Sequence, residues 1–423
     1  MLHKILIILT ACGLFWLPAT TAGAQRNAAG GSLTPQANGS IAAPAETESV
    51  SAEKDSQASA VPAVPAVIPD TFMFTVPLTG PLAAMGRSAV NGAELAVKTW
   101  GGGYNLEIVD EAGPERDDID LTKVAVASGY FTESRFAVDA PRFLYLKKPV
   151  LLPFLTTGEA ASRGPNYFFR LMPSFEDQGR FMALEILNMK KRHRRILVVT
   201  GAGEMQAAFT AALTATLADP PQPPQPEPSA KGKKAQKQKI LTALDPKSSV
   251  LTAGLSQALD PEGIPELTKA KPDLIILALS PSESLALAPV LIEPRFAKVP
   301  VWGGISMGFR ETAAAFSTLG VNLQLCLPVA NPLDKKNQAA QDFIQQYLNT
   351  YHSHPTWISA LAYDSLMLAI KAAGSGPTSA EVLAFLSGQS HHSLGTYKIV
   401  AGGGGEPPLA FMPVTQDSIG FLP

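Results

Sequence analysis

A chain of 423 residues with 46% hydrophobic content is long enough for two or three domains with substantial cores. Lys and Arg total 34 against 36 for Asp and Glu, a net charge of −2, which excludes the basic footprint of a nucleic-acid binder. The only cysteines are Cys12 and Cys326, so no intramolecular disulfide remains if Cys12 is cleaved off or lipidated.

In chain order, a short positive start precedes the apolar run 5–17 and the small residues 19–24, with Ala22-x-Ala24 before Gln25. Residues 1–24 therefore read as a signal peptide for export, its apolar run too short to span a membrane. Leu9-Thr-Ala-Cys12 also matches the bacterial lipoprotein cleavage box, which would make Cys12 a point of membrane attachment. Residues 25–69 are rich in Pro, Ala and Ser and bury too little apolar surface to offset their ordering entropy; they read as a disordered tether.

Folded structure is expected from residue 71. A strand over 71–76 leads through a turn into a helix over 87–100, with Val90, Ala93, Leu95, Ala96 and Val97 inward, and then a strand over 104–109. A polar connection over 110–121 precedes a strand over 123–128 that stops at Gly129. Thr132 or Ser134 can cap the following helix, which would run to about residue 148 with Pro141 opening a fresh turn. A strand over 150–154 empties into Leu155-Thr156-Thr157. Two parallel strands thus end in hydroxyl-bearing loops before helix N-termini, an anion-binding site in outline.

Further on, Ser174 and Asp177 suggest a capping box on a helix ending in the basic run 190–195. A strand over 196–200 turns at 201–205 into a helix through 217. Residues 219–239 are a Pro- and Lys-rich low-complexity insertion. Strands over 240–244, 274–279, 299–302 and 323–327, a helix near 264–270 and a Ser280-capped helix to about 293 complete the second half, with Cys326 an ordinary core residue. Helices over 335–351 and 357–373 follow, then short β segments over 391–423 around Gly402–Gly405. This alternation predicts parallel sheets covered by helices on both faces.

Catalytic signatures are missing. No phosphate-binding glycine loop, Gly-x-Gly-x-x-Gly or Gly-x-Ser-x-Gly is present, and the pairs His352/His354 and His391/His392 lack acid or thiol neighbours at metal-ligand spacing. No cofactor, metal or enzymatic activity is expected, and Ser134 and Thr156 read as ligand-touching caps rather than nucleophiles.

Several segments together resemble the branched-chain (leucine/isoleucine/valine) amino-acid periplasmic substrate-binding proteins of ABC transporters. They are residues 77–96, Asp110-Glu-Ala-Gly113, 150–164, Phe169-Arg170, Asp177-Gln-Gly179, Pro355, Ala360-Leu-Ala-Tyr-Asp-Ser365 and Ala372-Ala-Gly374. The resemblance implies the type I periplasmic-binding-protein fold: two doubly wound α/β lobes joined by three hinge crossovers, near 172, 329 and 391. Lobe 1 would comprise 70–172 plus 330–390, and lobe 2 would comprise 173–329 plus 391–423.

The same resemblance implies the site. Thr132, Glu133 and Ser134 align with one carboxylate-binding loop and Leu155, Thr156 and Thr157 with the other. Met85 and Met205 stand at aromatic positions that flank the ligand, Ser280 near a further aromatic position, and Ile305 where an acid neutralises the ligand ammonium. Glu133 would repel a ligand carboxylate, Ile305 cannot pair an ammonium, and two methionines make a softer wall. Glu133, Glu204 or Glu283 could meet a cationic or hydroxylated ligand instead. The expected function is an exported solute-binding protein that captures an amino acid or related small polar solute in an interlobe cleft for an ABC transporter permease. The alternative is a non-transport envelope protein on the same fold, a sensor or peptidoglycan-synthase activator with a degenerate site.

Overall fold

The computed structural model describes residues 69–114, 116, 118–156, 162–164, 166–189, 193–221, 243–244, 248–329, 332–387, 390–399 and 408–423. The leader, the tether, the insertion from residue 222 on, the basic run 190–192, Thr157 and the Gly402–Gly405 run lie outside the described residues.

The first half begins with β1 (Thr71–Val76), α1 (Ala83–Trp100), β2 (Asn105–Asp110), β3 (Val124–Gly129), α2 (Glu133–Tyr145), β4 (Val150–Leu152) and β5 (Phe168–Arg170). All five strands pair in parallel, in the order β2-β1-β3-β4-β5. The chain then passes to α3 (Phe175–Asn188), β6 (Arg195–Thr200), α4 (Glu204–Ala218), β7 (Ser249–Gly254), α5 (Leu255–Leu259), α6 (Ile264–Lys269), β8 (Leu274–Ala278), α7 (Pro281–Leu291), β9 (Val301–Gly303), α8 (Arg310–Thr318) and β10 (Leu323–Leu327). It returns with α9 (Gln338–Tyr351), α10 (Trp357–Ala373) and α11 (Ser379–Leu386), followed by the antiparallel hairpin β11 (Ser390–His392) and β12 (Thr396–Lys398). It crosses a third time with β13 (Ala410–Pro413) and α12 (Gln416–Ile419). The second sheet has the order β13-β10-β9-β8-β6-β7, parallel except where β13 runs antiparallel to β10.

Both sheets are buried on two faces, and the strands alternate accordingly. In β6, Leu197 and Val199 face one core while Ile196 and Val198 face another; in β8, Ile275 and Leu277 oppose Leu274 and Ile276. In β4, Leu151 faces the main core, and Val150 and Leu152 join Tyr130, Phe136, Phe143 and Phe168 under α2. Glycine permits two close helix contacts. A Cβ on Gly92 of α1 would stand 2.0 Å from the Ser359 carbonyl oxygen of α10, and one on Gly179 of α3 would stand 2.3 Å from that of Phe209 in α4. α10 also lies over β3, where the buried Ser128 and Ser365 hydroxyls share a 2.7 Å hydrogen bond. No described helix is long and apolar enough to cross a membrane.

The structure corrects several expectations. α2 runs unbroken through Pro141 rather than restarting there. α3 ends at Asn188, short of the basic run, and the Arg194 and Arg195 amides instead donate to Asp273 across the sheet start. Of the strand expected over 240–244, only 243–244 are described and they are not extended into the sheet; the strand is β7, at the exposed edge. α8 and α11 are short and carry no long apolar stripe, so the sequence pattern does not announce them.

Candidate functional site

β3 ends in two consecutive left-handed residues. Gly129 has φ 110°, and a Cβ there would meet the Thr75 carbonyl oxygen at 2.1 Å. Tyr130 follows at φ 69°, a strained conformation for a non-glycine residue. Its ring is buried and its hydroxyl donates to Asp139 Oδ2 at 3.0 Å, which fixes the turn. The chain is thereby delivered into the loop Phe131-Thr132 ahead of α2.

Thr132 occupies the N-cap position, yet its hydroxyl does not cap the helix. It donates to Glu111 Oε1 at 2.5 Å, and the Thr132 amide donates to the same oxygen at 2.7 Å. The Phe131 amide donates to Oε2 at 2.7 Å. One carboxylate, reaching past β1 from the end of β2, therefore takes three donors of the loop expected to hold an anion. Glu111 is 7% exposed. Burial raises its pKa, against the hydrogen bonds from Thr132 and Phe131 and the nearby Arg135 guanidinium. Arg135 is itself fastened to Asp139 at 3.2 Å and to the Gly113 carbonyl at 3.1 Å. The preceding acid serves the neighbouring loop: Asp110 accepts from the Leu78 amide at 2.8 Å and the Thr79 hydroxyl at 2.7 Å. Burial opposes its ionisation, but these bonds and that from Ala112 together hold its pKa below the ordinary value.

The other first-half residues lie nearby in the fold. Glu133 is half-buried in the first turn of α2, where negative charge suits the helix dipole. Ser134 is exposed, its hydroxyl 3.4 Å from that of Thr132. Past β4, Leu155 is buried in the core under α2, and Thr156 is half-buried at the strand's open end. Met85, in the first turn of α1, is half-buried against the main core.

At the carboxyl end of the second sheet, Ser280 caps α7. Its hydroxyl accepts from the Glu283 amide at 3.4 Å, and its own amide donates to Glu283 Oε2 at 2.7 Å. The Glu283 carboxylate also packs on Gly201, where a Cβ would approach it to 2.7 Å. The Gly201 amide donates to the Ala278 carbonyl at 3.0 Å. Next along the sheet, the Ile305 amide donates to Gln178 Oε1 at 3.1 Å, and the Ser306 hydroxyl to the Leu279 carbonyl at 2.8 Å. The Ile305 side chain is buried in the core, and Met205 is half-buried at the start of α4.

The structure thus joins Thr132 and Ser134 through hydrogen bonds, and links Ser280 to the Ile305 turn through Leu279 and Ser306. Glu111 and Gln178 are additions. Both lie inside segments that carry the resemblance, and the direct signal for Glu111 is an acid immediately after a strand end.

No protein-family model matches the sequence, and no curated protein matches it at a significant level. Solved structures do match the fold. A protein of Rhodospirillum rubrum assigned to a branched-chain amino acid ABC transporter superposes with a TM-score of 0.61 at 16% identity, over 82% of this chain and 97% of that one. An ABC transporter substrate-binding protein of Desulfitobacterium hafniense, in complex with Leu, gives 0.56 at 16% identity, over 82% and 98%. An ABC transporter solute-binding protein of Rhodopseudomonas palustris, in complex with 3,4-dihydroxybenzoic acid, gives 0.55 at 15% identity, over 81% and 92%. The chain has the type I periplasmic-binding fold, the architecture the sequence resemblance implied.

Proposed function

We propose that this chain is a solute-binding protein that takes an amino acid or related small polar solute between its two α/β halves and serves an ABC importer. The observation that carries the reading is the fold, shared over almost the whole length of substrate-binding proteins solved with Leu or an aromatic acid. The loops at the carboxyl ends of the parallel strands support it, since that is where open α/β sheets bind ligands. The proposed contacts are Thr132, Glu133, Ser134, Leu155, Thr156 and Thr157 on one half, with Met85 beside them. Met205, Ser280 and Ile305 stand on the other half. Glu133 disfavours a free carboxylate, and Glu283 beside Ser280 offers an acid to a cationic or hydroxylated solute. The role is binding, with no catalytic step.

The proposed halves are residues 70–172 with 330–390 and residues 173–329 with 391–423. Export through the 1–24 leader, a tether over 25–69 and attachment at Cys12 rest on the sequence alone. Cys12→Ser with metabolic labelling by a fatty acid tests the anchor: label that persists removes it.

Thermal denaturation against a panel of amino acids and small polar solutes tests the main reading. A solute at a hundredfold its Kd adds about 2.7 kcal/mol to the folded state, and Thr156→Val abolishes that gain. Unchanged affinity in Thr156→Val would remove the second loop from the site. One observation favours the second reading, a non-transport envelope protein with a degenerate site: Glu111 already takes three donors of the first loop. If no solute shifts the melt and an envelope enzyme is captured on this protein, that reading replaces the transport role.

A further inference from the structure

A groove of about 460 Å³ is lined by α1 and the stretch around the end of α9 from the first half and by Arg310 from the second, with Ala84 of its lining next to Met85. α1 contributes Arg87, Ser88 and Asn91, while α8 contributes Arg310 at its first residue. α1 packs on α10 of the first half, and α8 packs on α7 and β10 of the second. The two halves are pinned together nearby, where the Trp357 indole donates to the Gly308 carbonyl at 2.9 Å.

The charge of this groove is one-sided. Arg87 and Arg310 line it, and among its described lining residues there is no carboxylate. Among the described residues neither arginine has an acidic partner. Arg310 spends one donor on the Leu422 carbonyl at 3.1 Å, and among the described residues Arg87 makes no side-chain hydrogen bond. His354 is held edge-on to Phe421, ring centroids 5.1 Å apart. The protein as a whole is slightly acidic, so this cationic concentration is local. Neutral donors complete the lining: the Ser88 and Thr356 hydroxyls bond each other at 2.7 Å, and Asn91 donates to the Tyr347 hydroxyl at 3.3 Å. A planar guanidinium presents paired N–H donors that match carboxylate and phosphate oxygens. The volume is that of a small-molecule site.

We infer that this groove is a second binding site, for a small organic anion bearing two or more carboxylate or phosphate groups, held by Arg87 from one half and Arg310 from the other. Its occupant bridges the two halves through these arginines.

Isothermal titration of the full chain with citrate, and separately with inorganic phosphate, tests this. Binding of either probe is expected, and the tighter one identifies the carboxylate or phosphate source. Arg87→Gln and Arg310→Gln should each weaken it by about tenfold. Lys98→Gln, which removes the same charge at the far end of α1, and Thr156→Val should leave it unchanged. The inference is overturned if neither probe binds, if Lys98→Gln weakens binding as much as the groove variants, or if Thr156→Val abolishes it. A glutamate decapeptide that binds where both small anions fail would assign the groove to an acidic protein partner, and overturn it equally.

Discussion

The carboxyl ends of the two sheets satisfy their loops with acids of very different reach. On the first sheet Glu111 crosses from the end of β2 to donors 20 and 21 residues away. On the second, Glu283 turns back three residues to Ser280 within its own helix start. The first is a tertiary tie that locks a loop to the sheet; the second is a capping box that travels with its helix. A loop of the first kind is built rigid, and a loop of the second kind can shift as a unit with the helix behind it. In a protein of two halves, that difference predicts a fixed jaw and an adjustable one.

Gly129→Ala should break the fixed jaw most severely. The new methyl would stand 2.1 Å from backbone at φ 110°, and we expect a loss of about 2–4 kcal/mol, read from the denaturant midpoint. Glu111→Ala strands three loop donors and should cost about 2–3 kcal/mol. Millimolar acetate should restore part of the loss by entering the vacated seat. A melt indifferent to acetate would mean that the seat collapses without its side chain.

A third carboxylate extends the comparison to the crossover region. Asp364 of α10 is wholly buried and accepts from the Leu394 amide at 2.8 Å and the Tyr397 hydroxyl at 2.6 Å, tying the β11–β12 hairpin to α10. These bonds hold the hairpin to α10 across the proposed boundary near 391, and burial lifts the Asp364 pKa from 3.8 to about 6. The folded state then holds the proton more tightly than the unfolded state. Its stabilising contribution is present at about pH 4 and is lost as pH rises through about 6. Asp364→Asn should flatten the pH dependence of the melt over that window, an effect of about 1–3 kcal/mol. An unaltered slope would exclude Asp364 as its source.

The smallest effects belong to the adjustable jaw. Glu283→Ala should cost about 1 kcal/mol with no acetate response. Gly201→Ala, whose methyl meets the Glu283 carboxylate first, should cost about as little. If these match the losses at Gly129 and Glu111, the two jaws are equally stiff.

What was legible in the sequence follows the same division between local and distant. The capping box at Ser174 and the cap at Ser280 are local to their helix starts, and the structure has both, the second also as a capping box with Glu283. The alternation of strand and helix gave the fold class, because strands buried on two faces read as unbroken apolar runs. Thr132 or Ser134 is the cap of α2 by local reading; Thr132 takes the N-cap position, but its hydroxyl goes to Glu111, a partner that no local spacing announces. β7 was misplaced because an edge strand with mostly exposed side chains carries little apolar pattern. The cationic groove was invisible for a similar reason: Arg87 and Arg310 are brought together only by the docking of the two halves.

The antiparallel strand β13 has a consequence for how the protein is made. It seals β10 along Gln324–Leu327 only after the chain has travelled back through α9, α10 and α11. Until then β10 is an open edge, a template for pairing with another chain, and it carries Cys326, whose buried thiol is otherwise held protonated well above its ordinary pKa. The second half therefore includes a contact of long sequence separation, the kind whose loop-closure cost slows folding. A chain interrupted before β13 leaves the Gln324–Leu327 edge of β10 without its antiparallel partner.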